Sequence, residues 1–179
     1  MANSPLVSFT KLSPNHSGRR TCSISRITPH AVVGQLSVER ICDCFKDSSR
    51  QASCNYAIGA DGRIGLCIDE QNRSWCSSSR DNDQRAVTIE CASDLTEPCT
   101  MNDKVYAALV DLCVDICRRN DKKKLVWIAD RDKALSYEVR PEEMLFTVHR
   151  WFAKKSCPGN WLFERMGCLA QEVNSRLGE

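Results

Sequence analysis

Short apolar segments with the two-residue period of β-strands alternate along this chain with longer segments that have the period of a helix. Thr21 to Ile27 alternates polar and β-branched residues and predicts a strand, which should end at Pro29 because proline cannot donate a ladder hydrogen bond. Arg85 to Cys91 predicts a second strand with the same alternation. Asp61-Gly62 lies between two further apolar runs and predicts a hairpin, because both residues tolerate positive φ. These segments require a sheet.

Three segments between and after the predicted strands have an amphipathic helical pattern. They are Val38 to Phe45 behind a Ser37 cap, Val105 to Arg119, and Trp161 to Leu177. Interleaved strands and helices predict an α/β fold with a central mixed sheet flanked by helices. The chain has 179 residues, which suits a single domain spanning 1–179, and the polar residues 1–20 predict an irregular N-terminal arm.

The overall charge and hydropathy exclude two classes of protein. Lysine and arginine number 25 against 23 acidic residues, so the sequence offers no dominant basic patch for nucleic acid. No segment approaches the ~20 apolar residues of a membrane span. Met1 to Pro14 lacks the charged start and apolar run of a secretory signal, so we expect synthesis in the cytoplasm without a signal peptide.

The chain contains 12 cysteines, a number that could indicate disulfides. A domain of this size does not depend on disulfides for stability, and the predicted cytoplasmic synthesis favours thiols. Cys113 and Cys117 fall within the apolar pattern of a helix, whereas Cys42 and Cys44 should lie on different faces of one. We therefore interpret most of the cysteines as reduced, buried residues.

A short loop that joins His149 to Cys157 is the first candidate for chemistry. The seven residues between them would let the imidazole and the thiolate bind one zinc ion. His30, just after a predicted strand, could be a third ligand from a distant part of the chain, although a histidine there is more often structural. Three protein ligands leave one tetrahedral position open, as in catalytic zinc sites, whereas a fourth would close the site. His16, in the polar arm, is interpreted as solvated.

Four motifs occur in an order that resembles a known family. They are Thr28-Pro29-His30, Asn55 to Gly59 with Asp61-Gly62, Ala86 to Glu90, and His149 followed by Lys155-Ser156-Cys157-Pro158-Gly159. Together they resemble the type-2 N-acetylmuramoyl-L-alanine amidases and peptidoglycan recognition proteins, and most of all the catalytic domains of phage or clostridial-type endolysins. The resemblance covers about residues 20 to 175. It implies the zinc amidase fold and hydrolysis of the amide bond between N-acetylmuramic acid and L-alanine in bacterial peptidoglycan.

The resemblance also implies roles for individual residues. It makes three residues the ligands of one zinc ion: His30, His149 and Cys157. Glu90 matches a catalytic glutamate that accepts a proton from the zinc-bound water. Lys155 matches a residue that stabilises the oxyanion formed when water attacks the amide carbonyl, and Tyr56 matches a tyrosine beside the catalytic water and the substrate. Tyr56 could instead be a core aromatic, and Lys155 a solvated side chain. Trp75 could form a wall of the substrate groove or pack within its loop.

The expected function is that of an amidase that acts as a monomer on peptidoglycan after release from the cell. Three alternatives remain. In a papain-like peptidase Cys157 would be the nucleophile, but no histidine follows it in the chain, as the usual order requires. A module that only binds peptidoglycan would typically lack the cysteine ligand. A structural zinc site would require a fourth protein ligand, such as another cysteine.

Overall fold

A mixed sheet forms the centre of the fold in this computed structural model, which describes residues 3–178. The strands are β1 (Val7–Thr10), β2 (His16–Arg19), β3 (Arg26–Ala31), β4 (Tyr56–Ile58), β5 (Ile64–Leu66), β6 (Asn72–Ser74), β7 (Ala86–Cys91), β8 (Lys124–Val126) and β9 (Glu143–Phe146). The helices are α1 (Val38–Asp43), α2 (Arg80–Arg85), α3 (Asp103–Arg119), α4 (Arg131–Ser136) and α5 (Asn160–Leu177). Seven strands form the sheet in the order β1-β5-β4-β7-β3-β9-β8, so the predicted fold class is confirmed.

Strands β3 and β7 run in parallel at the middle of the sheet, with His30 directly opposite Glu90. The prediction that Pro29 ends the strand is wrong, because β3 continues to Ala31. The Thr147 amide donates to the Ile27 carbonyl (3.0 Å), so the nitrogen of Pro29, two residues on, is directed to the same side of the strand. Strand β9 ends at Phe146, so it has no residue opposite Pro29. The missing N–H of the proline therefore costs no hydrogen bond of the sheet.

Helices cover the two faces of the sheet unequally. Short helix α1 packs close to β5, where a Cβ on Gly65 would lie 2.6 Å from Val38 Cγ2 and 3.0 Å from Cys42 Sγ. The longer helices α3 and α5 pack against each other, with α3 against β4 and α5 against β8. Because α1 has only six residues, it leaves part of its face of the sheet open.

The N-terminal segment is not an irregular arm. Strand β1 adds to the sheet edge in parallel with β5, and β2 pairs antiparallel with β6. Each of the two strands has only four residues and alternates half-buried with exposed positions, so neither makes an apolar run that the sequence would reveal. Residues 1 and 2 of the predicted arm lie outside the described residues.

Other predicted elements are confirmed. The Asp61-Gly62 turn joins the antiparallel strands β4 and β5, and Ser37 caps α1 with its side chain. Cys42 is buried and Cys44 exposed, as predicted for opposite helix faces. Between residues 3 and 178 no helix combines the length and apolarity needed to cross a bilayer.

Candidate metal centre

Three side chains from separate parts of the chain meet at the open face of the sheet. His30 comes from β3, His149 from a 3₁₀ turn (His149–Trp151) after β9, and Cys157 from the loop before α5. One potential ligand atom of each lies within 4.8 Å of the other two. His30 Nδ1 is 3.3 Å from Cys157 Sγ, and the two imidazole centroids are 5.0 Å apart. The fold thus brings together the three residues predicted as ligands.

Local packing holds the loop that carries Cys157. The Arg150 amide donates to the Cys157 carbonyl (3.1 Å), and the Arg150 guanidinium donates to the Ser156 carbonyl. Gly159 has a φ of +86°, and a Cβ there would lie 2.5 Å from Cys99 Cβ. Glycine is therefore required for this loop to pack against Cys99 and direct Cys157 towards His30.

The donor set fits zinc. His30 is 1% exposed, and its Nε2 has no hydrogen-bond partner among the described residues. Burial and the neighbouring His149 hold the pKa of His30 well below its usual range, so the ring is neutral and keeps the lone pair that a metal ligand needs. Burial and then the Glu90 carboxylate raise the pKa of Cys157, and a bound cation would stabilise its thiolate. Two imidazoles and a thiol are typical zinc ligands.

Ser78 contacts the second imidazole from outside the centre. Its Oγ lies 3.0 Å from His149 Nε2, which leaves His149 Nδ1 for the metal. Burial, and then the charge of Lys155, lower the pKa of His149, so this ring is also neutral near pH 7. Ser78 could not be predicted from sequence, because a serine in a polar loop carries no pattern of its own.

Glu90 lies beside the three candidate ligands on the same face of the sheet. Its Oε1 is 4.0 Å from His30 Nδ1, and its Oε2 is buried without a hydrogen-bond partner between residues 3 and 178. Burial raises the pKa of Glu90 to about 7, partly offset by a contact with the Cys76 thiol. A carboxyl group with this pKa can both accept and release a proton near neutral pH.

A groove of about 770 Å³ opens over the centre. Its lining includes His30, Glu90, His149 and Cys157, together with Trp75 and Lys155 from the rim. Lys155 is exposed, and Trp75 is half-buried with its indole Nε1 donating to Ser17 Oγ (2.7 Å). Two of the predicted residues therefore lie at the rim of the groove, where a ligand could reach them.

Tyr56 does not belong to this site, and the catalytic role predicted for it is wrong. Ala57, not Tyr56, is paired with Glu90, so the Tyr56 side chain points to the opposite face of the sheet. It is fully buried there, with its hydroxyl donating to Glu70 Oε2 (2.7 Å) and accepting from the Ser4 amide (2.9 Å). Glu70 also pairs with Arg119 of α3 (2.7 Å). Tyr56 is thus part of a buried polar network in the core.

We expect Tyr56→Phe to lower stability and leave the activity of the folded protein unchanged. The substitution removes the hydroxyl that donates to Glu70 and accepts from Ser4, and an unpaired buried group costs about 1–3 kcal/mol. Urea unfolding measures the loss, and initial rates of wall lysis measure activity. A large loss of activity at wild-type stability would return Tyr56 to the catalytic machinery.

Comparisons with known proteins identify the family and the fold of this chain. The sequence profile of the family described as "N-acetylmuramoyl-L-alanine amidase" matches residues 20–160. The chain resembles the endolysin amidase LysCS from Clostridium intestinale (17% identity, 99% of both chains, TM-score 0.56). It also resembles the Ph2119 endolysin of a Thermus scotoductus bacteriophage (15% identity, 91% of this chain and 99% of that one, TM-score 0.60). Staphylococcus aureus AmiA is similar too (11% identity, 98% of this chain and 84% of that one, TM-score 0.66). No curated protein sequence gave a match.

Proposed function

The chain belongs to the N-acetylmuramoyl-L-alanine amidase family, and on this premise we propose that its chemistry depends on one zinc ion bound by His30, His149 and Cys157. As a member of this family it is a peptidoglycan hydrolase that cleaves the amide bond between N-acetylmuramic acid and the L-alanine of the stem peptide. The observation that supports the metal site is the approach of three ligand atoms to within 4.8 Å of one another.

Glu90 is the proton carrier in the proposed mechanism. When bound, zinc supplies Lewis acidity that polarises the scissile carbonyl and lowers the pKa of water. Glu90 accepts one proton from the water that attacks the carbonyl carbon, and it then gives this proton to the leaving nitrogen as the C–N bond breaks. Its Oε2 has no hydrogen-bond partner among the residues that the structure describes, and its pKa is about 7. Both support this double role, because the carboxyl group can hold or release the proton near neutral pH.

Two rim residues complete the proposed site. The Lys155 ammonium would stabilise negative charge that develops on the carbonyl oxygen, and its effect on the pKa of His149 supports its closeness to the centre. The Trp75 indole, held by Ser17, would form a flat wall for the sugar or the stem peptide. The position of both side chains in the lining of the groove supports these roles.

Metal dependence separates this mechanism from a thiol nucleophile. A cysteine peptidase would also place a thiol near an imidazole. Here Cys157 Sγ lies 3.3 Å from His30 Nδ1. We expect the purified protein to contain one equivalent of zinc, to lose activity in a chelator, and to regain it when Zn²⁺ is added. Mass analysis of digested muropeptides should give intact stem peptides and glycan that retains N-acetylmuramic acid. Full activity in metal-free buffer would contradict the zinc mechanism.

We further propose that residues 1–179 act as one catalytic domain and as a monomer on peptidoglycan, without membrane insertion. The family acts on the cell wall. All proposed ligands and the proposed proton carrier come from one chain, so the site needs no residue from a second copy. Sedimentation of the active, zinc-loaded protein checks the oligomeric state.

A further inference from the structure

The loop 75–79 lies against the metal centre and is anchored from below by Asp83. The Cys76 amide donates to Asp83 Oδ2 (3.0 Å), and the Ser77 amide and hydroxyl donate to Asp83 Oδ1 (3.1 and 2.6 Å). Asp83 is 2% exposed and belongs to α2. These bonds hold the backbone of the loop, so the fold sets the position of the Cys76 backbone beside the centre.

The Cys76 thiol faces the metal-binding groups. Its Sγ lies 3.8 Å from Glu90 Oε1, and ligand atoms of His30, Cys76 and Glu90 all lie within 4.8 Å of one another. His30 also belongs to the group formed with His149 and Cys157, so the two groups share one imidazole. A second thiol therefore lies beside His30, which is one of the three proposed ligands.

Building on the proposed function, we propose that Cys76 is a fourth protein ligand of the same ion and closes the metal site in the resting enzyme. Two imidazoles and two thiolates form a complete tetrahedral set, which is the arrangement of structural zinc sites. The amidase would then be latent until the Cys76 side chain turns away. A rotation about its single Cα–Cβ bond suffices for this movement, and it leaves the hydrogen bonds to Asp83 intact.

The surroundings of Cys76 favour a ligand over a packing residue. The Cys76 thiol lies 3.8 Å from Glu90 Oε1, a long contact for a weak donor, while the other Glu90 oxygen has no partner among residues 3–178. By contrast, the Cys42 thiol is buried in the core, where it accepts a hydrogen bond from the Cys67 thiol (3.2 Å). Soft thiolate ligands bind zinc strongly, so a thiol beside one of the proposed imidazole ligands competes well for the open position.

Cobalt substitution counts the thiolate ligands directly. Co²⁺ replaces Zn²⁺ in such sites, and its sulfur-to-metal charge-transfer band gains intensity with each bound thiolate. We expect the wild-type protein loaded with Co²⁺ to show the intensity of two thiolates, and Cys76→Ser to show about half. The matched control is Cys168→Ser, which removes an exposed thiol on α5 and should leave the band unchanged. Cys76→Ser should also weaken Zn²⁺ binding by about tenfold or more in competition with a chelator.

The outcomes separate this inference from the proposed function. A band with two-thiolate intensity in the wild type that halves in Cys76→Ser supports both. A one-thiolate band that disappears in Cys157→Ser but is unchanged in Cys76→Ser overturns the role of Cys76 and leaves the three-ligand centre in place. A spectrum without any thiolate band would overturn both proposals. The wild-type band intensity decides the question even if Cys76→Ser does not fold.

Discussion

Replacing Cys157 by alanine is expected to abolish both zinc binding and wall lysis. The substitution removes the only proposed ligand from the loop before α5, and the two imidazoles are then left with at most the Cys76 thiolate. Cys76 is grouped with His30 and Glu90 but not with His149, so this set is too poorly arranged to retain zinc. We expect the lytic rate to fall by at least about a thousandfold, equivalent to ~4 kcal/mol of transition-state stabilisation. Elemental analysis of the purified variant measures zinc, and the turbidity of a cell-wall suspension measures lysis.

The matched control for this variant is Cys168→Ala, which removes an exposed thiol on α5 that is not among the residues lining the groove. It should keep both zinc and activity. Circular dichroism of Cys157→Ala separates loss of the metal from loss of the fold. A Cys157→Ala variant that lyses walls at the wild-type rate in metal-depleted buffer would refute the zinc site.

Part of this site could be predicted from local sequence because its residues lie close in the chain. His149 and Cys157 are joined by one short loop, and the structure brings both to the same centre. The partnership of His30 with Glu90 depends instead on the register of two parallel strands, and no local pattern determines that register. The resemblance to amidases supplied both residues where spacing could not.

The error at Tyr56 has the same origin. Adjacent residues of a strand point to opposite faces of the sheet, so a motif can align correctly while its tyrosine faces the core. Here Ala57 shares the face of Glu90, and Tyr56 bonds to Glu70 on the other side. Sequence alone gave no means to distinguish the two faces, because β4 is buried on both.

The contribution of loop 75–79 could not be read from sequence at all. Cys76 and Ser78 reach the centre only because the buried Asp83 carboxylate binds the amides of this loop. Ser78 then contacts His149, and Cys76 contacts Glu90. One tertiary interaction thus brings two side chains to a site whose main residues lie on other elements.

Replacing Glu90 by glutamine is expected to reduce kcat by about 10²–10⁴-fold while zinc remains bound. Glutamine keeps the shape of the side chain but cannot take a proton from water, and Glu90 is not one of the three proposed ligands.

The same change should stabilise the chelated protein at pH 8. Burial raises the pKa of Glu90 from 4.5 to about 7, so the folded state binds this proton more tightly than the unfolded state, and stability decreases as the pH rises from 4.5 to 7.

Glutamine carries no such penalty, so we expect Glu90→Gln to gain about 1–3 kcal/mol in urea unfolding at pH 8 and nothing at pH 4. Glu164→Gln is the matched control, because it neutralises an exposed carboxylate on α5 and should change neither quantity. Initial rates on purified peptidoglycan, with zinc content measured in parallel, separate a lost proton carrier from a lost metal. Wild-type kcat in a zinc-loaded Glu90→Gln variant would show that another group moves the proton. A loss of activity together with a gain in stability is what a buried carboxylate kept for catalysis should produce.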